Sequence, residues 1–260
     1  MSVRVSVLGS GSRGNSTLVE TEKTRLLVDA GFSRRETTAR LAAIGRRADG
    51  FQALIISHEH QDHVNGLRAL AAGWKVPVFI SAATREALRW GAKAPAWELF
   101  TPGKKFTIGD IEITPFSIPH DAADPVAFTL ETQGFKIGLV TDLGCIPEVV
   151  KQHVRGCHLL VFESNHDLDM LKVGPYPWQL KQRLMSRHGH LSNRATAEFL
   201  ADGYDGHAQI LVLAHLSENN NHPEIARMSA VEALAQRTGG SNGIDLHLAS
   251  QAAPTKIFQF

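Results

Sequence analysis

The chain is poor in cysteine, in net charge and in long apolar runs, and each shortage closes off a class of protein. Two cysteines, Cys145 and Cys157, cannot build a disulfide framework, and their separation does not resemble a zinc-finger pair. A formal net charge of +1 exerts no global pull on nucleic acid, so any such contact would have to come from a local patch. Arg34-Arg35 and Arg46-Arg47 are candidate patches, and both also read as solvated helix surface. No apolar stretch reaches the ~18 residues that span a bilayer. The start, Ser2-Val3-Arg4-Val5, enters an alternating strand without a basic segment followed by an apolar one, so no signal peptide is expected. These shortages point to a protein of the reducing cytoplasm with no membrane partner. Internal repeats, low-complexity tracts and Pro/Gly-rich linkers are lacking too. With 260 residues and 43% hydrophobic content, one domain over residues 1–260 with one sizeable core is expected.

What the chain does have is histidine: 13 of them, several clustered beside Asp or Glu. The hydrophobic pattern gives them a setting. Strands are expected at Val3–Leu8 and at Ser16–Glu20 and Arg25–Val28, which flank the polar turn Thr21-Glu22-Lys23-Thr24. A helix over 34–45 should end at Gly45. Ala53–Ser57 reads as a short buried strand, Leu67–Ala72 as helix, Val76–Ser81 as strand and Thr84–Trp90 as helix. A second strand-rich block covers Phe106–Ile108, Ile111–Thr114, Ala127–Thr132 and Lys136–Val140. Helices then recur around 146–152, 177–187, 193–202 and 223–237, with strands at Leu159–Glu163, Ile210–Ala214, Leu246–Leu248 and Lys256–Phe260. Two blocks of strands, each followed by helices, fit an α+β or α/β protein with two sheets packed face to face and helices outside. Pattern alone does not separate this from a three-layer α/β fold.

Polarity changes abruptly at the end of strand 53–57, where the chain reads Ser57-His58-Glu59-His60-Gln61-Asp62-His63. Alternate residues of an extended segment face one side, so His58 and His60 can converge, and Asp62 and His63 follow as the chain turns toward a helix. Imidazole and carboxylate together suit Zn²⁺, and also Mn²⁺ or Fe²⁺. Polar loops collect His and Asp by chance, but this density directly after a buried strand makes chance a poor explanation.

The run His58-x-His60-x-Asp62-His63 resembles the signature of the metallo-β-lactamase superfamily, and further landmarks occur in order. Asp29 in Leu27-Val28-Asp29-Ala30-Gly31 matches an early bracing aspartate, His120 a third histidine, Asp142 a bridging aspartate and His215 a last histidine. The resemblance covers essentially the whole chain. It implies the four-layer αββα sandwich and two divalent metal ions, one held by His58, His60 and His120, the other by Asp62, His63 and His215, with Asp142 shared between them and Asp62 also in the catalytic set. Such a pair can acidify water near neutral pH. A thiolate-dependent β-lactamase site would need Cys at Asp142; Cys145 comes three residues late and reads as a packing residue.

The superfamily includes thioester, lactam and phosphodiester hydrolases, so later motifs must narrow the chemistry. Phe162-Glu163-Ser164-Asn165-His166-Asp167 and Gly189-His190-Leu191-Ser192-Asn193 resemble the Glu-containing and Gly-His-Ser-type motifs of tRNase Z nucleases. That likeness implies that His190 protonates the leaving oxygen and Glu163 orients it, fixing the imidazole tautomer. The combined motifs, with Gly9-Ser10-Gly11-Ser12-Arg13-Gly14-Asn15-Ser16 and His215-Leu216-Ser217-Glu218-Asn219-Asn220, resemble the bacterial YycJ/WalJ-type group. This resemblance implies a phosphodiesterase that is a 5′-to-3′ DNA exonuclease, with nucleic acid, DNA before RNA, as its partner. The rivals are a small-molecule or cyclic-nucleotide phosphodiesterase of the same fold and an inactive metal-binding scaffold. The Glu163/His190 pair argues against the scaffold.

Other features weigh less. The Gly-rich turn 9–14 lacks Gly-Lys-Ser/Thr, so it is not a Walker loop; it is expected near the metal mouth, where its amides, Ser12, Arg13 and Asn15 could touch phosphate. His166 could approach the metals, hold the 189–193 loop or cap local structure. His188 reads as surface, His222-Pro223 as a helix start, and His153, His158, His207 and His247 as ordinary residues. No long insertion of the β-CASP nuclease kind and no tRNase Z-like exosite arm is visible.

Overall fold

Near-continuous apolar strands imply sheets covered on both faces, and the computed structural model, which describes residues 2–90, 94–237 and 243–260, has two of them. The first sheet contains β1 (Arg4–Gly9), β2 (Ser16–Glu20), β3 (Arg25–Val28), β4 (Ala53–Ile55), β5 (Val78–Ser81), β6 (Trp97–Phe100) and β14 (Phe258–Gln259), in the order β14-β1-β2-β3-β4-β5-β6. The second contains β7 (Phe106–Ile108), β8 (Ile111–Ser117), β9 (Val126–Thr132), β10 (Phe135–Val140), β11 (Leu159–Glu163), β12 (Ile210–Ala214) and β13 (Asp245–Leu248), in the order β13-β12-β11-β10-β9-β8-β7. Each is mixed: β3 to β6 pair in parallel, as do β10 to β13, and the remaining pairs are antiparallel.

The two-residue period of a strand decides which core each side chain joins. Leu26 and Val28, Ala53 and Ile55, Leu159 and Val161, and Val212 and Ala214 meet between the sheets. Their neighbours turn outward. Leu27 and Leu54 pack under α1 (Arg34–Ala43) and α3 (Leu67–Trp74), whereas Leu160, Phe162, Leu211 and Leu213 pack under α5 (Glu148–Val154), α8 (Asn193–Glu198) and α9 (Pro223–Gln236). Helix, sheet, sheet, helix is the four-layer arrangement expected from the sequence.

Boundaries differ in places. Helix 34–45 stops at Ala43, with Gly45 at φ +68° just beyond it. The expected helix 84–90 spans Ala82–Ala87 as α4, and 193–202 is split into α8 and a π-type turn at Phe199–Gly203. Strand β6, the short helix α2 (Gln61–Val64) and helix α6 (Leu168–Val173) are additions; α7 (Trp178–Leu184) matches the core of helix 177–187. Arg34 and Arg35 are exposed on α1. Arg46 pairs with Glu20 at 3.3 Å and Arg47 with Asp49 at 2.6 Å, at the opposite end of β2 and β3 from Asp29. No helix among the described residues is long and apolar enough to cross a membrane.

Candidate metal centre

Parallel strands gather their carboxyl ends along one rim, where open α/β sheets commonly bind ligands. On this rim β3 leads to Asp29, β4 to His58, β8 to His120, β10 to Asp142 and β12 to His215, while β11 ends on Glu163 itself. Three of these residues leave their strands in the left-handed region: Asp29 at φ 60°, Asp142 at φ 64° and His215 at φ 57°. Such backbone costs on the order of 1–3 kcal/mol per non-glycine residue. Here it folds the chain back so that side chains which would follow the strand pleat are aimed at the rim.

The donor atoms converge in two clusters: in each of the sets His58, His60, His120 and Asp62, His63, Asp142, His215, one ligand atom per residue lies within 4.8 Å of the others, and a third set, Asp142, Glu163, His190 and His215, overlaps the second. His120 Nε2 is 3.3 Å from His60 Nδ1, and His63 Nε2 and His215 Nε2 lie 3.3 Å and 3.5 Å from different oxygens of Asp142. Asp62 Oδ2 is 3.4 Å from His215 Nε2. Thus Asp142 turns one oxygen to His63 and the other to His215.

Outer contacts fix which nitrogen of each ring is free. His63 Nδ1 donates to Asp29 Oδ2 at 2.8 Å, and Asp29 Oδ1 also accepts from the Ser57 amide and hydroxyl at 2.9 Å each. His120 Nδ1 donates to the Gly189 carbonyl at 3.1 Å. His215 Nδ1 donates to Glu163 Oε1 at 3.0 Å. In all three rings Nε2 is left facing the cluster, the arrangement that metal-ligating histidines adopt. Ser57 Oγ lies 3.0 Å from His58 Nδ1, and His58 Nε2 is buried without a partner, while the buried Asp142 Oδ2 faces His63 Nε2 without a hydrogen bond. A buried polar atom without a partner costs about 1–3 kcal/mol. Orphaned donors, imidazole nitrogens facing one another and two adjacent carboxylates are together what divalent cations would satisfy, so the residues fit the metals expected from the sequence.

Charge is arranged to match. Burial, then the neighbouring His63, holds the His58 pKa well below its ordinary value, which keeps that imidazole neutral. Burial also lowers His120. Burial works against charge on His63 and His215, but Asp142 and the other surrounding carboxylates outweigh it and raise both pKa values well above the ordinary range. Asp142 and Asp62 remain ionised well below the usual carboxylate range, because their histidine neighbours outweigh the burial that would raise them.

Glu163 has the inward parity of Leu159 and Val161, yet it is an acid at 0% exposure. Four N–H groups account for it. Oε1 accepts from His190 Nδ1 at 2.7 Å and His215 Nδ1 at 3.0 Å; Oε2 accepts from the Leu143 amide at 2.9 Å and the Leu191 amide at 3.3 Å. Burial alone would raise its pKa, but His190 and His215 outweigh burial and hold it at about 2. With Nδ1 committed to Glu163, His190 keeps Nε2 for an incoming molecule; its ring lies 5.1 Å from that of His120 and 5.0 Å from that of His215. Every residue singled out in the sequence as a metal ligand or as part of the acid pair is therefore at this one rim.

Some contributors were not expected. Asn15 Nδ2 is 3.0 Å from both Asp62 Oδ2 and His63 Nε2, and Asn165 Nδ2 donates to the His215 carbonyl at 2.7 Å. The Gly-rich turn does reach the metal mouth, and five of its amides are engaged within the protein. The amides of Ser10, Gly11, Arg13, Gly14 and Asn15 donate to Ser250, Asn15, Gln251, Gly11 and Asp62 respectively. The turn braces ligands: Ser10 Oγ accepts from the His215 amide at 2.9 Å. Gly31 allows this packing, since a Cβ there would lie 1.7 Å from the Asp62 carbonyl. His166 belongs to neither donor cluster. Its backbone holds the 189–193 loop, bridging to Ser192 and accepting from the Asn193 amide at 2.8 Å. Cys145 lies outside the clusters and Cys157 is buried, its thiol pushed by burial up to about 12. His188 is exposed, His153 stacks on Phe116, and His222 caps α9.

Comparison with known proteins agrees with this architecture. Residues 24–216 match the profile of the beta-lactamase superfamily domain. The chain is 36% identical to Exodeoxyribonuclease YycJ of Bacillus anthracis over 261 residues, covering 99% of each protein. It is 36% identical to Exodeoxyribonuclease WalJ of Streptococcus pneumoniae serotype 2 over 247 residues, covering 93% of this chain and 91% of that one. Among solved structures, the metallo-beta-lactamase fold protein YhfI from Bacillus subtilis superposes with a TM-score of 0.76 at 18% identity, covering 100% of this chain and 99% of that one.

Proposed function

The chain belongs to the beta-lactamase superfamily, in its metallo-β-lactamase fold, and we propose that it is a dinuclear metal-dependent phosphodiesterase acting as an exonuclease on DNA ends. The observation that carries this reading is Glu163 Oε1, which binds the acid candidate His190 at 2.7 Å and the ligand candidate His215 at 3.0 Å. A hydrolase of activated esters or amides with good leaving groups has little use for a second, carboxylate-held imidazole beside the ligands. A phosphodiesterase does, because the departing alkoxide is a poor leaving group and needs a proton.

In this reading His58, His60 and His120 hold one ion, Asp62, His63 and His215 hold the other, and Asp142 serves both. Zn²⁺ suits five imidazoles and two carboxylates best, with Mn²⁺ or Fe²⁺ as substitutes. Bound there, the ions would supply Lewis acidity that acidifies water and neutralises charge on the phosphoryl oxygens. The protein supplies the rest. Asp29, Glu163 and Gly189 hold the tautomers of the candidate ligands, Asp62 and Asp142 carry the compensating charge, and His190 gives its Nε2 proton to the leaving oxygen while its Nδ1–H stays bonded to Glu163. A cavity between the sheets beneath the ligands, lined by Asn15, Asp29, Ser57 and Thr141, has a volume of about 30 Å³, room for water but not for a nucleotide.

DNA as substrate is supported by two near-full-length relatives named exodeoxyribonucleases. The 5′-to-3′ polarity follows from the motif resemblance, and a DNA-directed activity fits a cytoplasmic location. The test is metal-reconstituted protein on oligonucleotides labelled at either end and on bis-p-nitrophenyl phosphate. Release of nucleotides from the 5′ end, stopped by chelator and restored by Zn²⁺ or Mn²⁺, is expected. Intact phosphodiesters alongside hydrolysis of a thioester or lactam would overturn the reading.

A further inference from the structure

Between β11 and α8 the chain inserts a helical hairpin, α6 and α7, whose surface is unlike the rest of the rim. Its link is Pro175-Tyr176-Pro177-Trp178, in which two prolines restrict the backbone on either side of an aromatic residue. Trp178 is 57% exposed and Val173 is 85% exposed. The other three tryptophans are placed differently: Trp74 stacks on Phe51, and Trp90 meets Trp97, all on the first-sheet side.

The hairpin is tied at both ends to loops that carry the candidate metal ligands. Asn219, in the loop that follows His215, donates Nδ2 to the Tyr176 hydroxyl at 3.0 Å. At the other end Arg183 ion-pairs with Asp121, next to His120, and the Leu184 carbonyl accepts from the His190 amide at 2.9 Å. The Asp121 amide donates to the His188 carbonyl at 3.1 Å. Helix α7 therefore runs from the His215 loop to the His120 and His190 loops, and Trp178 lies roughly 9 Å along its axis from Leu184. From Leu168 to His190 the segment carries Lys172, Lys181, Arg183 and Arg187 against one acid, Asp169. Lys181 is buried on the Lys172 carbonyl, Lys172 pairs with Asp169 and Arg183 with Asp121, so the exposed Arg187 is the cation left to complement a polyanion. Aromatic faces beside cations, with no dependence on base identity, are the means by which proteins hold single strands.

We propose that the α6–α7 hairpin seats single-stranded nucleic acid at the rim, with a base stacked on Trp178 and a backbone phosphate met by Arg187. This rests on the polynucleotide reading above and deepens it: the substrate end enters as an unpaired strand. Tyr176, pinned through its hydroxyl, is a positioning residue that joins the seat to the His215 loop.

The experiment uses the metal-loaded enzyme and a short phosphorothioate-linked single-stranded oligodeoxythymidylate, with KM measured on the ordinary phosphodiester strand. In the wild type the oligonucleotide should quench part of the tryptophan emission. Trp178→Ala should lose that quenching and weaken binding by about 5- to 100-fold, with the loss appearing in KM. Trp178→Phe, which keeps a stacking face, should restore most of the affinity and guards against a folding defect. Arg187→Ala should reduce the dependence of log affinity on log salt by about one. Wild-type affinity and quenching in Trp178→Ala, in a preparation that cleaves DNA, would overturn the seat and leave the nuclease reading standing. Conversion of an oligomer to a monomer in Trp178→Ala, with affinity unchanged, would assign the face to a second copy of the chain and overturn the proposal too. Failure of the wild type to cleave any polynucleotide would instead sink the reading on which the seat rests.

Discussion

The two halves of the metal rim are built in opposite ways. The first sheet contributes His58, His60, Asp62 and His63 from one short run after β4, whereas the second contributes His120, Asp142, Glu163, His190 and His215 from separate loops. In the first half, strand alternation and one turn of α2 set the geometry, and the braces are divided: the Asp29 carboxylate accepts from Ser57 and His63, and Asn15 contacts Asp62 and His63. In the second half, nothing in the local chain aligns the loops. One buried carboxylate does it, because Glu163 accepts from Leu143, His190, Leu191 and His215 together. A contiguous half can lose its buttress and keep most of its shape. A scattered half concentrates ligand support and acid placement in a single residue.

The largest test of this comparison removes the carboxylate of the second half that also faces His63 of the first. Asp142→Ala should lose metal by elemental analysis and reduce phosphodiester cleavage by more than about 100-fold, since second-sphere losses alone reach 10–100-fold. His247→Ala, whose ring pairs with Asp245 at 2.7 Å away from the ligands, should keep its metal. Next, His190→Ala should slow cleavage of an oligonucleotide by about 10²–10⁴-fold while largely sparing release of p-nitrophenolate, with metal content retained. Equal slowing of both substrates with metal retained would count against the acid role. Smaller still, Asp29→Asn should weaken metal affinity by about 10–100-fold without changing the ratio between poor and good leaving groups.

The smallest effect concerns pH. Burial opposes protonation of His63 and His215, but Asp142 and its fellow carboxylates outweigh burial and raise both pKa values, so metal-free protein carries protons on both rings at neutral pH. A metal must displace them, and affinity should therefore rise with pH, by about tenfold per unit for each proton released. Titrating Zn²⁺ into weakly buffered metal-free protein should acidify the solution; no proton release would contradict the charge state assigned to these rings.

The contiguous half was legible as a candidate because its histidines and aspartate sit side by side after an apolar strand, and the resemblance, through the order Asp29, His120, Asp142, His215, pointed to the others. The strand blocks were legible from their apolar runs, but the four-layer order came from the motif resemblance, since pattern alone left a three-layer fold open. What escaped was short or side-chain-mediated. Helix α6, with Leu168-Asp169-Met170-Leu171-Lys172-Val173, is too brief to show a helical period, and β6 is an edge strand with Glu98 and Leu99 exposed. Asn15, Ser57 and Asn165 act through side-chain hydrogen bonds to candidate ligands, and nothing in composition distinguishes such residues from ordinary loop polar residues. The second attachment of Glu163, to His215, depends on β11 and β12 pairing in parallel with Glu163 opposite Ala214, which linear spacing does not reveal.

Glu163→Gln, set beside Asp29→Asn, tests the account most directly. The two readouts are metal affinity and the ratio of oligonucleotide cleavage to p-nitrophenolate release. If Glu163 joins a ligand to the acid, both should fall in Glu163→Gln, whereas Asp29→Asn should lower metal affinity alone. A Glu163→Gln protein that loses metal affinity but keeps the wild-type leaving-group ratio would contradict the account.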